Sequence, residues 1–312
     1  VLPLSLSFLF SSAPPCRADD RPNIIVIMVD DMGWSDLGCY GGEIRTPNID
    51  GLAGGGLRFT SFYNTARCCP TRASLLTGLY PHQAGLGRMT FDAGKPGYRG
   101  FLTANTVTIP EVLRGAGYRT AMVGKWHLSL TESPGEHMKF LNNQAIRKRF
   151  SDPATYPVSR GFEEHYGIIW GVTSFFDPYS LVHNLEPVRE VPKDYYITDA
   201  FSDHAVEYVE KYSRGKEPFF LYYVPNANHY QRNEKDGDYA VPKTIAGEAV
   251  KGASRLTNDT PAANRGDERG AGHEMRHGDL LGDVPGGAPR PSVRGRREDP
   301  DIVSIWLCAT HE

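Results

Sequence analysis

Asn23 to Val29 (NIIVIMV) is the segment that constrains this chain most. A continuous apolar run rich in β-branched residues marks a strand covered on both faces, as the central strands of parallel sheets are. Such a strand commits the chain to a layered α/β architecture, with helices above and below it. The run stops at Asp30-Asp31, with Gly33 and Gly38 following. Carboxylates just past the C-terminal end of a buried strand lie where open α/β sheets build their sites.

Further elements follow in alternation. Thr46-Pro47 with Ile49, Leu52 and Ala53 predicts a Thr-capped helix with Pro in its first turn. Leu57 to Tyr63 (LRFTSFY) alternates like a strand, and Thr71 to Leu79 reads as a helix closed near Gly78. Ile109-Pro110 opens another helix that ends at Gly117, and Tyr118 to Gly124 is a short strand delivering Lys125-Trp126-His127. Thr198 to Lys211 is an amphipathic helix with a Thr cap, its Phe201, Ala205 and Tyr208 spaced for one face. Pro218 to Val224 (PFFLYYV) is a second buried strand, ending toward His229. Strands alternating with helices predict a doubly wound, mainly parallel sheet.

The chain of 312 residues, 40% hydrophobic and 23% charged, has an ordinary globular balance and suits one large α/β domain or two small ones. A formal net charge of -3 provides no long-range field for nucleic acid or an anionic membrane. Val1 to Ser12 (VLPLSLSFLFSS), followed by Ala13-Pro14-Pro15, reads as the h-region and cleavage region of a clipped secretory signal over residues 1–20. It is too short to span a bilayer, so stable membrane insertion is not expected and a periplasmic or secreted location is.

Residues 21–231 carry all of the periodic elements except one. From Ala240 to Ile305 there is no Phe, Tyr or Trp, while Gly, Arg, Asp and Pro recur. Such a stretch buries too little apolar surface to offset its ordering entropy. Residues 232–312 are therefore expected to be an atypical, disordered tail in which only Ile302 to Leu307 forms a late strand. The abrupt change after Gln231 is what a shifted or mis-joined reading frame produces.

Four constellations carry chemistry. Asp30 and Asp31 offer two carboxylates to a hard divalent cation, which binds through several oxygens. The five cysteines are too few and too irregular for a disulfide framework. Adjacent Cys68 and Cys69 rarely bridge, so one of them invites a chemical explanation. Cys68-Cys69-Pro70-Thr71-Arg72 sets a fixed cation four residues after the first of them. Lys125 and His127, two apart at the end of a strand, point the same way and reach one anion. His229 follows a buried strand, and Ser174 is a weaker candidate for a substrate contact.

Cys68 to Gly78 (CCPTRASLLTG) resembles the signature of the formylglycine-dependent, type I sulfatases, in which a maturase reads Cys-x-Pro-x-Arg and oxidises the Cys to an aldehyde. The register singles out Cys68, because Pro70 and Arg72 stand two and four residues after it. Asn23 to Gly38, Gly124-Lys125-Trp126-His127 and the strand running to His229 resemble the family's other segments in the same order, from Pro22 to His229. The family commonly has Pro just before that His, where this chain has Asn228.

The resemblance implies an alkaline-phosphatase-like α/β fold, incomplete at the C-terminus, and an arylsulfatase-like sulfuric ester hydrolase. Asp30, Asp31 and the hydrated aldehyde of Cys68 would bind Ca2+ (or Mg2+). Arg72 and Lys125 would stabilise charge on the nucleophile and the sulfate oxygens, His127 would hold or deprotonate the hydrate, and His229 would protonate the leaving oxygen. One hydroxyl of the hydrate attacks sulfur, and the other then expels sulfate by re-forming the aldehyde. The implied partners are an aryl or carbohydrate sulfate ester and the maturase. The same chemistry also serves phosphonate and phosphodiester hydrolases of the superfamily, and a non-catalytic secreted fragment is the alternative of another class.

The family's later strand ending in Asp-Asn, which completes the metal shell, and a following Lys have no counterpart after His229; Asn258-Asp259 is reversed. Comparing transcript with locus is expected to reveal a break in frame near the Gln231 codon. An unbroken frame encoding this same tail overturns that expectation.

Overall fold

The strand Phe219–Val224 divides its side chains between two cores. Phe220, Tyr222 and Val224 pack on one side of the sheet with Met122, Trp126 and Phe162. Phe219 and Leu221 pack on the other with Ala121, Val123, Phe201, Tyr208 and Tyr212. Each such aromatic or aliphatic side chain contributes about 1.5–3 kcal/mol when fully buried, so a strand apolar on both faces settles only between two helical layers.

The computed structural model describes residues 21–132, 150–227, 229, 232–233, 238–239, 244–245, 248–249 and 302–309. The expected signal segment at residues 1–20 and most of the expected disordered tail lie outside the described residues. The strands are β1 (Asn23–Asp30), β2 (Arg119–Gly124), β3 (Glu164–Ile168), β4 (Leu181–His183), β5 (Glu186–Pro187), β6 (Phe219–Val224), the short β7 (Arg232–Asn233), β8 (Asp238–Tyr239), β9 (Thr244–Ile245) and β10 (Glu248–Ala249), and β11 (Ile302–Ala309). The helices are α1 (Pro47–Gly55), α2 (Cys68–Thr77), α3 (Ile109–Gly115) and α4 (Ile197–Ser213).

Seven strands form one sheet in the order β11-β1-β6-β2-β3-β4-β5. The ladders from β11 to β3 are parallel, and β4 and β5 add an antiparallel edge. Helix α4 covers one face through Ile197, Phe201, Ala205, Tyr208 and Tyr212. Cys69, Ala73 and Leu76 of α2 join the core of the other. The mainly parallel, doubly wound α/β sheet is thus present as the strand-helix alternation implies. The late strand is present too, two residues longer than expected, and it pairs with β1 so that Ala309 stands opposite Asp30.

Leu57 to Tyr63 is a correction. It forms no strand, and Leu57, Phe59, Phe62 and Tyr63 are 81%, 57%, 57% and 89% exposed. Alternation suits a strand only where a ladder is open to it, and both edges of β1 are already taken by β6 and β11. The expected Thr caps also differ. Thr46 precedes α1, but its hydroxyl accepts from the Gly38 N–H and donates to Asp50 instead of capping the helix. Helix α4 starts at Ile197 behind Tyr196, one residue before Thr198. The reciprocal cap occurs at α3, where Thr108 and Glu111 form a capping box.

Gly124, the last residue of β2, has φ of 111°, and a Cβ there would stand 1.9 Å from the Val224 carbonyl oxygen. Gly124→Ala is therefore expected to force β2 and β6 apart where they deliver the site. The loss should exceed about 3 kcal/mol. Gly51→Ala on α1, where nothing lies within 4 Å, should stabilise by roughly 0.5–1 kcal/mol. Urea denaturation of the pair checks both signs.

Candidate active site

The carboxyl ends of β1, β2 and β6 meet the N-terminus of α2, and the site residues occupy that junction. Cys68 is the first residue of α2, behind Arg67 in extended conformation. The helix starts three residues earlier than its sequence suggests, and Pro70 lies inside its first turn, where its missing N–H costs no helical bond. Cys68 therefore stands where unpaired backbone N–H groups and the helix dipole favour an anion.

Asp30 is the hub. Buried at the end of β1, it receives Arg72 Nη2 on Oδ1 at 2.8 Å and Lys125 Nζ on Oδ2 at 2.5 Å. Both cationic side chains are themselves fully buried. Arg72 Nη1 also donates to the Lys125 carbonyl oxygen at 2.7 Å, which ties α2 to the segment after β2. Burial alone would raise the Asp30 pKa, but the charges of Arg72 and Lys125 override it and hold the carboxyl well below the usual carboxylate range.

Trp126 turns into the core, where it packs edge-on to Phe162, while Lys125 and His127 face Asp30 and Cys68. His127 and Asp31 both adopt left-handed backbone, with φ of 55°. That conformation is uncommon outside Gly and concentrates at functional sites. The Cys68 thiol is driven far below its ordinary value, by the Cys69 S–H first and then, against burial, by His127 and Lys125. Cys69 is pushed up, by burial first and then by its acidic neighbour. The two thiols of the pair are thus shifted in opposite directions.

His229 is buried too, its Nε2 4.0 Å from Asp31 Oδ2. The structure therefore brings Asp30, Cys68, Arg72, Lys125 and His127 into one buried cluster, with Asp31 and His229 beside it. Ser174 differs: its hydroxyl accepts from the N–H groups of Phe176 and Asp177 and so caps its own loop. Gly171 escaped the sequence reading. A Cβ there would lie 2.1 Å from the His127 ring, so this glycine is the wall against which the imidazole rests. Its position just after β3, in the run Ile168-Ile169-Trp170-Gly171, was the available signal.

A hard divalent cation takes six or more oxygens. Asp30 and Asp31 begin such a shell, but both oxygens of Asp30 are engaged by cations. Among the described residues no third carboxylate joins them, and the ladder partner of Asp30 on the β11 side is Ala309, without carboxylate or amide. The described residues do not by themselves fit a closed site for the ion.

A family model described as Sulfatase matches residues 22–264. Arylsulfatase A of Homo sapiens is 36% identical over 241 residues, covering 72% of this chain and 44% of its own length. An uncharacterized sulfatase of Schizosaccharomyces pombe is 35% identical over 228 residues, covering 66% of this chain and 37% of its own. The crystal structure of Ps i-CgsB in complex with k-i-k-neocarrahexaose superposes with a TM-score of 0.53 at 32% identity, over 69% of this chain and 48% of that one. The chain spans less than half the length of these relatives.

Asp30→Asn would leave Arg72 and Lys125 buried without a countercharge, and a stability loss of about 3–5 kcal/mol is expected in urea. Asp30 has a depressed folded pKa, so its contribution is complete above the unfolded value of about 3.9 and is withdrawn as pH falls below it. The acid limb of stability against pH should be shallower in Asp30→Asn, by about 1.4 kcal/mol per pH unit. An unchanged acid limb would refute the role given to Asp30. The motif at Cys68, the buried Asp30 centre and the family match agree: this chain belongs to the sulfatase family.

Proposed function

We propose that the chain is the nucleophile-bearing part of a sulfuric ester hydrolase, with Cys68 as the residue converted to formylglycine by a maturase. The observation that carries this reading is the charge at the centre. Two buried cations, Arg72 and Lys125, converge on Asp30 beside Cys68, with the His127 imidazole next to the thiol, an arrangement suited to an anionic ester. The second reading, a phosphonate or phosphodiester hydrolase, fits the same arrangement.

Membership of the family implies a formylglycine and a metal ion. When present, the formylglycine supplies a hydrated aldehyde in the place that Cys68 Sγ marks. Around that position Arg72 and Lys125 hold an anionic ester by charge, with Arg72 fixed by its second bond to the Lys125 carbonyl. His127 abuts the nucleophile and accepts or returns its proton. His229, beside Asp31, would protonate the leaving oxygen. The ion would be Ca2+ (or Mg2+), held by Asp30 and Asp31 with oxygens supplied from outside the described residues, and no step is assigned to it.

Substrates of the aryl sulfate or sulfated carbohydrate class fit this reading, and the neocarrahexaose in the Ps i-CgsB complex favours carbohydrate. A periplasmic or secreted location accords with the apolar run from Val1 to Ser12.

Coexpression with a maturase followed by mass spectrometry of the Cys68 peptide tests the reading. An aldehyde or its hydrate is expected in the chain and in Cys69→Ala, and an unmodified peptide that keeps the Cys69 thiol in Cys68→Ala. Retention of the Cys68 thiol would refute it. Paired assays on an aryl sulfate and a phosphodiester with Ca2+ present should favour the sulfate.

A further inference from the structure

Hydrolysis as proposed leaves one buried sulfur unused. Cys69 is excluded from maturation by its register, yet it is fully buried with its Sγ 4.0 Å from that of Cys68. Beside this pair, His127 Nδ1 is buried and makes no hydrogen bond. Ligand atoms of Cys68, Cys69 and His127 all lie within 4.8 Å of one another, and among the described residues this is the only group of three His, Cys, Asp or Glu side chains so close.

The dimensions suit a soft tetrahedral ion. A Zn–S bond of about 2.3 Å sets two sulfurs roughly 3.8 Å apart at the tetrahedral angle, against the 4.0 Å present. The corresponding sulfur–nitrogen edge is roughly 3.5 Å, within reach of a small swing of the imidazole toward the sulfurs. Gly171, which has no side chain, lies against the ring edge around Cε1 and leaves both nitrogens room there. Thiolate and imidazole select thiophilic metals, whereas the carboxylates of Asp30 and Asp31 are ligands for hard ones. Arg72 and Lys125 offer less repulsion than their charges suggest, because Asp30 pairs with both.

We propose that the chain in its thiol form binds a thiophilic ion of the Zn2+ class through Cys68 Sγ, Cys69 Sγ and the His127 imidazole, with a fourth position open to water or an anion. Both cysteines ligate as thiolates, their protons passing to solvent, so the ion and its two sulfurs together carry no net charge. Conversion of Cys68 removes one sulfur. The site therefore belongs to the unmatured chain, and ion and maturase draw on the same thiol. Binding by the thiol form does not depend on the hydrolase reading.

The test uses the full chain, reduced and produced without a maturase, titrated with Co2+. One equivalent should give thiolate-to-cobalt charge-transfer absorption together with the visible bands of a tetrahedral site, both lost on adding Zn2+. Loss of an outer-shell partner already costs 10–100-fold in affinity, so Cys69→Ser, which loses a ligand, should weaken binding by at least about 100-fold. X-ray absorption of the Zn2+-loaded, unsubstituted chain should give two sulfur ligands and at least one nitrogen, which decides the matter even where Cys69→Ser does not fold. A cobalt spectrum without charge transfer, a Zn2+ shell without sulfur, or an unaltered affinity in Cys69→Ser would overturn the proposal.

Discussion

The pairing of one buried carboxylate with two buried cations governs the rest of this structure. Asp30 ends β1, Arg72 belongs to α2 and Lys125 follows β2, so a single side chain holds three separate elements in one geometry. Each of these charges, taken alone out of water, would cost several kcal/mol. Together they are tolerable only if all three stand within hydrogen-bonding distance, which leaves α2 little freedom to slide along the sheet. Replacing such a cluster by apolar residues is often neutral or stabilising in other proteins. Its value here is positional, since it fixes Cys68 one turn before Arg72 on the same helix.

The sheet order explains why these residues converge. Parallel strands point their carboxyl ends the same way, and β1, β6 and β2 are adjacent. Asp30, Val224 and Gly124 therefore end side by side, and whatever follows each strand falls into one crevice. Asp31, Asn226 with His229, and Lys125 with His127 all enter the site by this route. The left-handed backbone at Asp31 and His127 is the local cost of turning those segments inward immediately after the ladder stops.

Much of this was legible in the residues because it rests on local periodicity or on spacing. The apolar runs of β1 and β6 required burial on two faces; β6 received it almost throughout, while Ile24, Ile25 and Ile27 of β1 are only half-buried. The spacing of Pro70 and Arg72 from Cys68 distinguished the two cysteines. What failed depended on partners remote in sequence. Leu57 to Tyr63 has the alternation of a strand, but a strand is a property of a ladder, and both edges of the nearby β1 were taken by β6 and β11. The role of Gly171 was equally hidden, since only the folded chain sets it against the His127 ring. Thr46 shows the same limit on a smaller scale, its hydroxyl being claimed by Gly38 and Asp50 before it could cap α1.

The Asp30 centre also bears on how a hard cation would compete for this site. Both Asp30 oxygens already accept from nitrogen cations, so an ion binding there must displace or share Lys125 and Arg72, and must repay the loss with ligands from elsewhere.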